Sequence, residues 1–420
     1  MNAANRQNRP ASRTATATHT PCAHRIRRRL RAATAAAAAC SLLLGTAGCT
    51  GALGAGWDSR PAPITVMTWA PQGAKGTAMD GMPAIAQAFA RDVNAHGGVN
   101  GRPLKVLTCD EGDDPVKATR CADRAIREEA VAVVGSYSRH GSHFMPALEG
   151  AGIPFIGGYG ASAEEFSSPL SYPVNGGNPT LMAGNGRQLI DYRCKNISLI
   201  RPDNASGDLF SGYLNAGLSR ENRPRTVDIR APEEATDYTE EAARAVHHDA
   251  PGTCVTAVLG EHTETFLDSY RRLRPGNTKL ASVLGSIRQS MVDATGGAKG
   301  PLEGVYATGW YPPEDDARWD RMRKVVRKYA FGDERIDPAD PGEQTTWVAY
   351  TVFVAVARTL DPATVTADAV RRALDRTDGV PTGGLTPELS WRFEDMLSLH
   401  DHPRIVNTAV TYQVVKEGRL

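Results

Sequence analysis

The chain has 420 residues, 41% hydrophobic and 23% charged, with a formal charge of +1 at pH 7. That length exceeds the roughly 100–200 residues of an ordinary domain and predicts two lobes. A near-zero charge with no basic cluster in the body excludes the electrostatic footprint of a nucleic-acid-binding protein.

The charge is unevenly distributed. Residues 1–48 hold eight arginines and no Asp, Glu or Lys, so the remainder carries 40 basic residues (48 less 8) against 47 acidic ones. A mildly acidic body argues against polyanionic partners. The stretch "HRIRRRLRAATAAAAACSLLLGTAGC" has the parts of a secretory signal: a positive segment at 25–31, an apolar run at 32–44, then small residues before Cys49. The apolar run is shorter than the roughly 20 residues a bilayer span needs. "TAGC" resembles a bacterial lipobox, with Thr46 in place of the usual aliphatic residue. The expectation is a signal peptide over 1–48, lipidation at Cys49 and a flexible tether over 49–62. The mature protein would then be exported and anchored by lipid on the extracellular face of the cell membrane.

Strand and helix signals alternate after the tether. Strands are expected at 64–69 and 104–107, with a helix over 83–96 between them that ends at Gly97-Gly98. Asp114-Pro115 reads as a cap followed by a first-turn proline, opening a second helix. Further strands fall at 131–134 and 153–157. Continuous apolar strands between helices indicate a parallel sheet covered on both faces. After a link at 171–177 the pattern restarts, with strands at 196–200, 225–229, 254–259 and 280–284. The stretch 304–310 reads as a passage back to the first lobe, 344–360 as a helix, and 389–393 and 407–415 as late strands. The fold class is α/β: two Rossmann-like, doubly wound lobes. The first would comprise 63–175 and about 308–385, the second 176–307 and about 386–420.

Four cysteines lie in the body, and an even number in an exported protein predicts two disulfides. Cys109 ends a strand and Cys121 lies in the helix that follows, so these two should pair. Cys194 and Cys254 each precede an apolar strand and meet if those strands are neighbours. No metal-ligand spacing and no cofactor motif occurs.

Ligands of open parallel sheets bind at the carboxyl ends of the strands, here in a cleft between the lobes. The loop "GSYSRHGSHF" sits at such an end, and the loops after 64–69, 153–157, 254–259 and 280–284 should share the cleft. Two chemistries fit the first loop. Catalysis needs a serine activated by a histidine that a carboxylate orients; Ser138 and His140 are available, but no GxSxG elbow occurs. Binding needs hydroxyls and loop N–H groups, which suit a carboxylate or other anion. Arg139 reads either as a ligand-facing charge or as a solvated arginine. Tyr159 reads as a stacking ring or as packing. Ser162 reads as a ligand contact or as a helix cap. Glu261, His262, Ser286 and Arg288 are the second lobe's candidates.

The segment "ARDVNAHGGVNGRPLKVLTCDEGDDPVKATRCADRAI", followed by "VAVVGSYS", "AGIPFIGG" and the "SYPVNGG" link, resembles the type I periplasmic-binding proteins. The nearest branch is the leucine/isoleucine/valine-binding group of ABC transporter substrate-binding lipoproteins. "EQTTWVAYTVFVAVARTL" is similar to that family's late helix, and the resemblance covers about 62–420. It implies three crossovers, a hinge-closing cleft and delivery of a small ligand to an ABC permease. It also implies that the loop from Ser136 to Ser142 and the loop Gly160-Ala161-Ser162 clamp an amino acid's α-carboxylate and α-amino group. Where the family has a tyrosine near 262 and a glutamate near 286–287, this chain has His262 and Ser286-Ile287. The missing glutamate, with Arg139 and His140 in place of the family's small hydroxyl residues, points to a ligand without a primary ammonium, or with an extra negative charge.

The sequence thus reads as a non-catalytic solute-binding lipoprotein for an amino acid, amide or carboxylate-like metabolite, with a surface ligand sensor as the alternative and a secreted hydrolase as the remote one. The candidate ligand-binding residues are Trp69, Ser136, Tyr137, Ser138, Ser142, Tyr159, Ala161, Ser162, His262 and Ser286.

Overall fold

The computed structural model describes residues 61–74, 77–218, 225–233, 235–246, 249–397 and 401–420. The expected signal peptide, Cys49 and all but the last two residues of the expected tether lie outside the described residues.

Eleven strands are described, in two sheets. The first holds β1 (Ile64–Ala70), β2 (Leu104–Asp110), β3 (Val133–Val134), β4 (Phe155–Ile156) and β5 (Ser171–Tyr172), in the order β2-β1-β3-β4-β5. All its pairings are parallel. The second holds β6 (Asn196–Pro202), β7 (Arg225–Ala231), β8 (Thr253–Ala257), β9 (Lys279–Val283), β10 (Tyr306–Gly309) and β11 (Thr411–Val414), in the order β11-β10-β9-β8-β6-β7. Only the β10–β11 pairing is antiparallel.

Residue alternation along β1 shows why the first sheet is covered on both faces. Val66 and Ala70 join the core formed with the helices Gly81–Ala95 and Pro341–Ala357. Met67 and Trp69 point the other way, into the cluster formed with the helices Pro115–Arg127 and Gly141–Ala151. Asp114 caps its helix as expected, its side chain accepting from Lys117 N at 2.8 Å. The late helix begins at Pro341 rather than 344, capped by Asp340 through Gly342 N and Glu343 N. It is buried on nearly all sides, so no amphipathic stripe marks its start.

Three expectations need correction. The stretch 304–310 contains β10, an inner strand of the second sheet, and the return to the first lobe follows it. The stretch 389–393 forms no strand; Leu389 makes a single bridge with Val380, and Trp391 packs on Tyr172. The link 171–177 begins with β5, a strand too short for periodicity to reveal.

Both expected disulfides form, with Cα separations of 5.8 Å. Cys254 lies beside Ile197 in the β6–β8 register, three residues from Cys194. The segments that pass between the lobes are stitched together. Asn175 Nδ2 donates to Tyr311 Oη at 3.0 Å and to Thr345 Oγ1 at 3.1 Å. Asn407 Nδ2 donates to Val174 O at 3.1 Å, and Thr411 Oγ1 to Tyr311 O at 2.7 Å.

Candidate functional site

β3 and β4 stop at Gly135 and Gly157, both at φ +60°. A Cβ at Gly135 would lie 2.8 Å from Thr346 Cα, and one at Gly157 would lie 2.3 Å from Ala349 Cβ. Only glycine lets both strands end this close to the late helix and release their loops over the cleft.

The first loop continues in alternation. Ser136 and Ser138 are fully buried and turn into the lobe, while Tyr137 and Arg139 line a cavity between the lobes. Ser136 Oγ accepts from Trp69 N at 3.1 Å. Ser138 Oγ donates to Glu111 Oε2 at 3.1 Å and accepts from His140 N at 3.1 Å. His140 Nε2 instead meets Asp113 Oδ1 at 3.1 Å. The Ser138 hydroxyl therefore serves a carboxylate and a backbone N–H, not an imidazole. Burial pushes the Glu111 carboxyl up to about 7.

The second loop is likewise committed internally. The Glu165 carboxylate accepts from Gly160 N, Ala161 N and Ser162 N at 2.9–3.0 Å, and from Ser162 Oγ at 3.2 Å. The carboxylate thus reaches back from the helix start over the loop that precedes it. The N–H groups expected to receive a ligand's carboxylate already hold one from the chain. Burial pushes Glu165 up to about 7 against these bonds.

The cavity has a volume of about 130 Å3 and is walled by both lobes. That gives room for on the order of ten water-sized groups. Tyr137 and Tyr159 meet edge to face at 5.0 Å, and Tyr159 meets Trp310 the same way at 5.0 Å. Burial raises the pKa of both tyrosines, so each keeps its hydroxyl proton. Leu181 and Phe210 add apolar wall from the second lobe.

Charge is arranged at two places. Arg139 is gripped by Asp113 through Nε and Nη2, and its Nη1 reaches Glu233 Oε1 at 2.7 Å across the cleft. Glu233 also accepts from Asn204 Nδ2 at 2.7 Å. Arg288 donates from Nε to Gly285 O at 3.2 Å. Its nearest carboxylates are looser, Glu261 at 3.8 Å and Asp340 at 4.0 Å. His262 Nε2 is buried with no hydrogen-bond partner among the described residues.

Of the residues expected from sequence, Tyr137, Tyr159, Ala161, His262 and Ser286 line the cavity. Ser136, Ser138 and Ser162 do not, because their hydroxyls turn inward to the partners above. Trp69 is fully buried against Phe144, with ring centroids 5.2 Å apart, on the far side of the sheet. Ser142 is exposed on the helix Gly141–Ala151 and faces His143 Nδ1. Ser286 Oγ accepts from Gly260 N at 3.1 Å, tying two cavity loops together. Asn204 and Glu233 were not among the expected residues. They follow β6 and β7, and the strand-end rule that picked the other loops reaches them equally.

A family model described as "Periplasmic binding protein" matches residues 67–410. No curated protein matches the chain by sequence. Among solved structures, an extracellular ligand-binding receptor from Verminephrobacter eiseniae superposes with a TM-score of 0.70 at 12% identity, covering 84% of this chain and 98% of that one. A possible leucine/isoleucine/valine-binding protein from Rhodopirellula baltica gives 0.68 at 14% identity, over 86% and 95%. A fatty acid ABC transporter substrate-binding protein from Thermomonospora curvata gives 0.67 at 14% identity, over 85% and 92%. At these identities the likeness is one of fold.

Proposed function

The chain belongs to the periplasmic binding protein family, and on that premise we propose that it captures one small metabolite between its lobes, outside the cytoplasm, and delivers it to an ABC transporter. The observation that carries this reading is the cavity itself. It lies at the carboxyl ends of both parallel sheets, takes its walls from both lobes, and is spanned by the Arg139–Glu233 pair. A cleft that closes over its occupant retains a solute without transforming it. The Ser138 geometry supports binding over hydrolysis, since its hydroxyl is buried away from the cavity.

Export and anchoring through Cys49 rest on the arginine-rich leader and the "TAGC" stretch. Delivery to a transporter has the support of the structural neighbour described as an ABC transporter substrate-binding protein. The test is a thermal-shift screen of the purified chain against amino acids, amides, carboxylates and nucleobase metabolites. A ligand that binds only the native state, at 100 times its dissociation constant, adds about 2.7 kcal/mol and raises the melting temperature. Tyr159→Ala should abolish that shift. A folded protein that responds to nothing in the panel would argue against solute capture.

A further inference from the structure

Resting on the solute-binding reading, we infer that the ligand is a small monocarboxylate without an α-ammonium group, and that its acid end docks on the second lobe at Arg288 and His262. The first lobe's serine, loop N–H and arginine donors are already spent. Ser136 and Ser138 face inward, and Glu165 fills the N–H groups of 160–162. Arg139 is held by Asp113 and Glu233.

The second lobe keeps donors in reserve. His262 lines the cavity, and its Nε2 is buried with no hydrogen-bond partner among the described residues. Arg288 stands on the same wall, its side chain 26% exposed and its nearest carboxylates at 3.8 and 4.0 Å, beyond hydrogen-bond distance. Gly285, at φ +94°, has no Cβ; one placed there would lie 3.1 Å from Tyr159 Oη. That gap brings a phenol to the Arg288 end of the cavity. The Gly260–Ser286 bond holds the loops of His262 and Arg288 in fixed relation. A carboxylate there gains charge-assisted bonds, and its hydrocarbon body lies against Tyr137, Phe210 and Leu181.

An ammonium finds no comparable partner. Glu233 is already bonded to Arg139 and Asn204, and the Glu261 side chain is 39% exposed. A carboxylate displaces Glu261 from its loose contact with Arg288, so Glu261→Gln should tighten the acid.

Isothermal titration of the whole chain with four probes tests this: 4-methyl-2-oxopentanoate against leucine, and phenylacetate against phenylacetamide. The first pair shares its carboxylate and differs by the α-ammonium, and the second shares its skeleton and differs by the carboxylate. At least one acid should bind at least ~10-fold more tightly than its counterpart, and Arg288→Gln should remove any preference for phenylacetate over phenylacetamide and weaken 4-methyl-2-oxopentanoate. Leucine or phenylacetamide binding as tightly as the matched acid overturns the inference and leaves solute capture standing. So does a phenylacetate preference that survives Arg288→Gln. Failure of all four probes, with binding of another compound in the wider screen, overturns the inference alone; failure of every compound overturns both.

Discussion

Arg139 and Glu233 meet at 2.7 Å across the cleft, one from the loop after β3 and the other from the loop after β7. Each is oriented on its own lobe first, Arg139 by Asp113 and Glu233 by Asn204. Opening the lobes therefore breaks this ion pair and leaves two prearranged halves. Apparent affinity scales with the fraction of molecules in the binding-competent state, so under the proposed solute capture the pair acts on ligand retention through closure. Glu233 is partly exposed, which limits the pair to about 1 kcal/mol. Glu233→Gln should weaken ligand binding roughly fivefold and increase the radius of gyration of the free protein in solution scattering. An unchanged radius and affinity would remove the latch from the account.

The alternation after β3 separates lining residues from supporting ones. Tyr159→Ala should cost ligand affinity while the unliganded fold survives. Ser138→Ala should do the reverse: ligand affinity nearly unchanged, stability lowered by roughly 1–3 kcal/mol because buried Glu111 loses its donor. Denaturant titration and calorimetry on the two variants, side by side, check the contrast.

Glu111 also gives the protein a pH dependence. Its folded pKa, about 7, lies above the ordinary carboxylate value of 4.5. The stabilisation that comes with protonation is fully present below about pH 4.5 and is lost as pH rises through about 7. The loss is about 3 kcal/mol at most. Glu111→Gln should flatten that part of the stability curve and make the variant more stable than the parent at pH 8. Thermal melts from pH 5 to pH 8 would show it, and parallel curves for the two proteins would contradict it.

The two disulfides differ in the loops they close, separations of 12 and 60 residues. Chain entropy assigns about 3 kcal/mol to the shorter and about 4 kcal/mol to the longer. The double replacement Cys194→Ser with Cys254→Ser should therefore lower the melting temperature more than Cys109→Ser with Cys121→Ser. Equal losses would mean that strain or residual unfolded structure dominates over loop length.

Much of the architecture is local and could be read along the chain. Strand runs such as "NISLI" and the Asp114-Pro115 start carry their own signals, and both cysteine pairings followed from strand and helix placement. The same Asp-Pro signal at Asp340-Pro341 marks the late helix more accurately than its apolar run does, because a helix buried all round has no stripe to count. Strands of two residues, such as β5, fall below the length at which alternation can be seen.

The sequence by itself determined the two-lobed α/β plan, the disulfide pairs and the loops that meet at the cleft, because each depends on short-range periodicity, glycine stops and strand ends. Which side chains face the cavity was decided only by tertiary structure. Ser138 was lost to Glu111, 27 residues away, and Arg139 to Glu233, 94 residues away. A buried polar group must find a partner on folding, and that partner is chosen in space, where spacing along the chain carries no record of it.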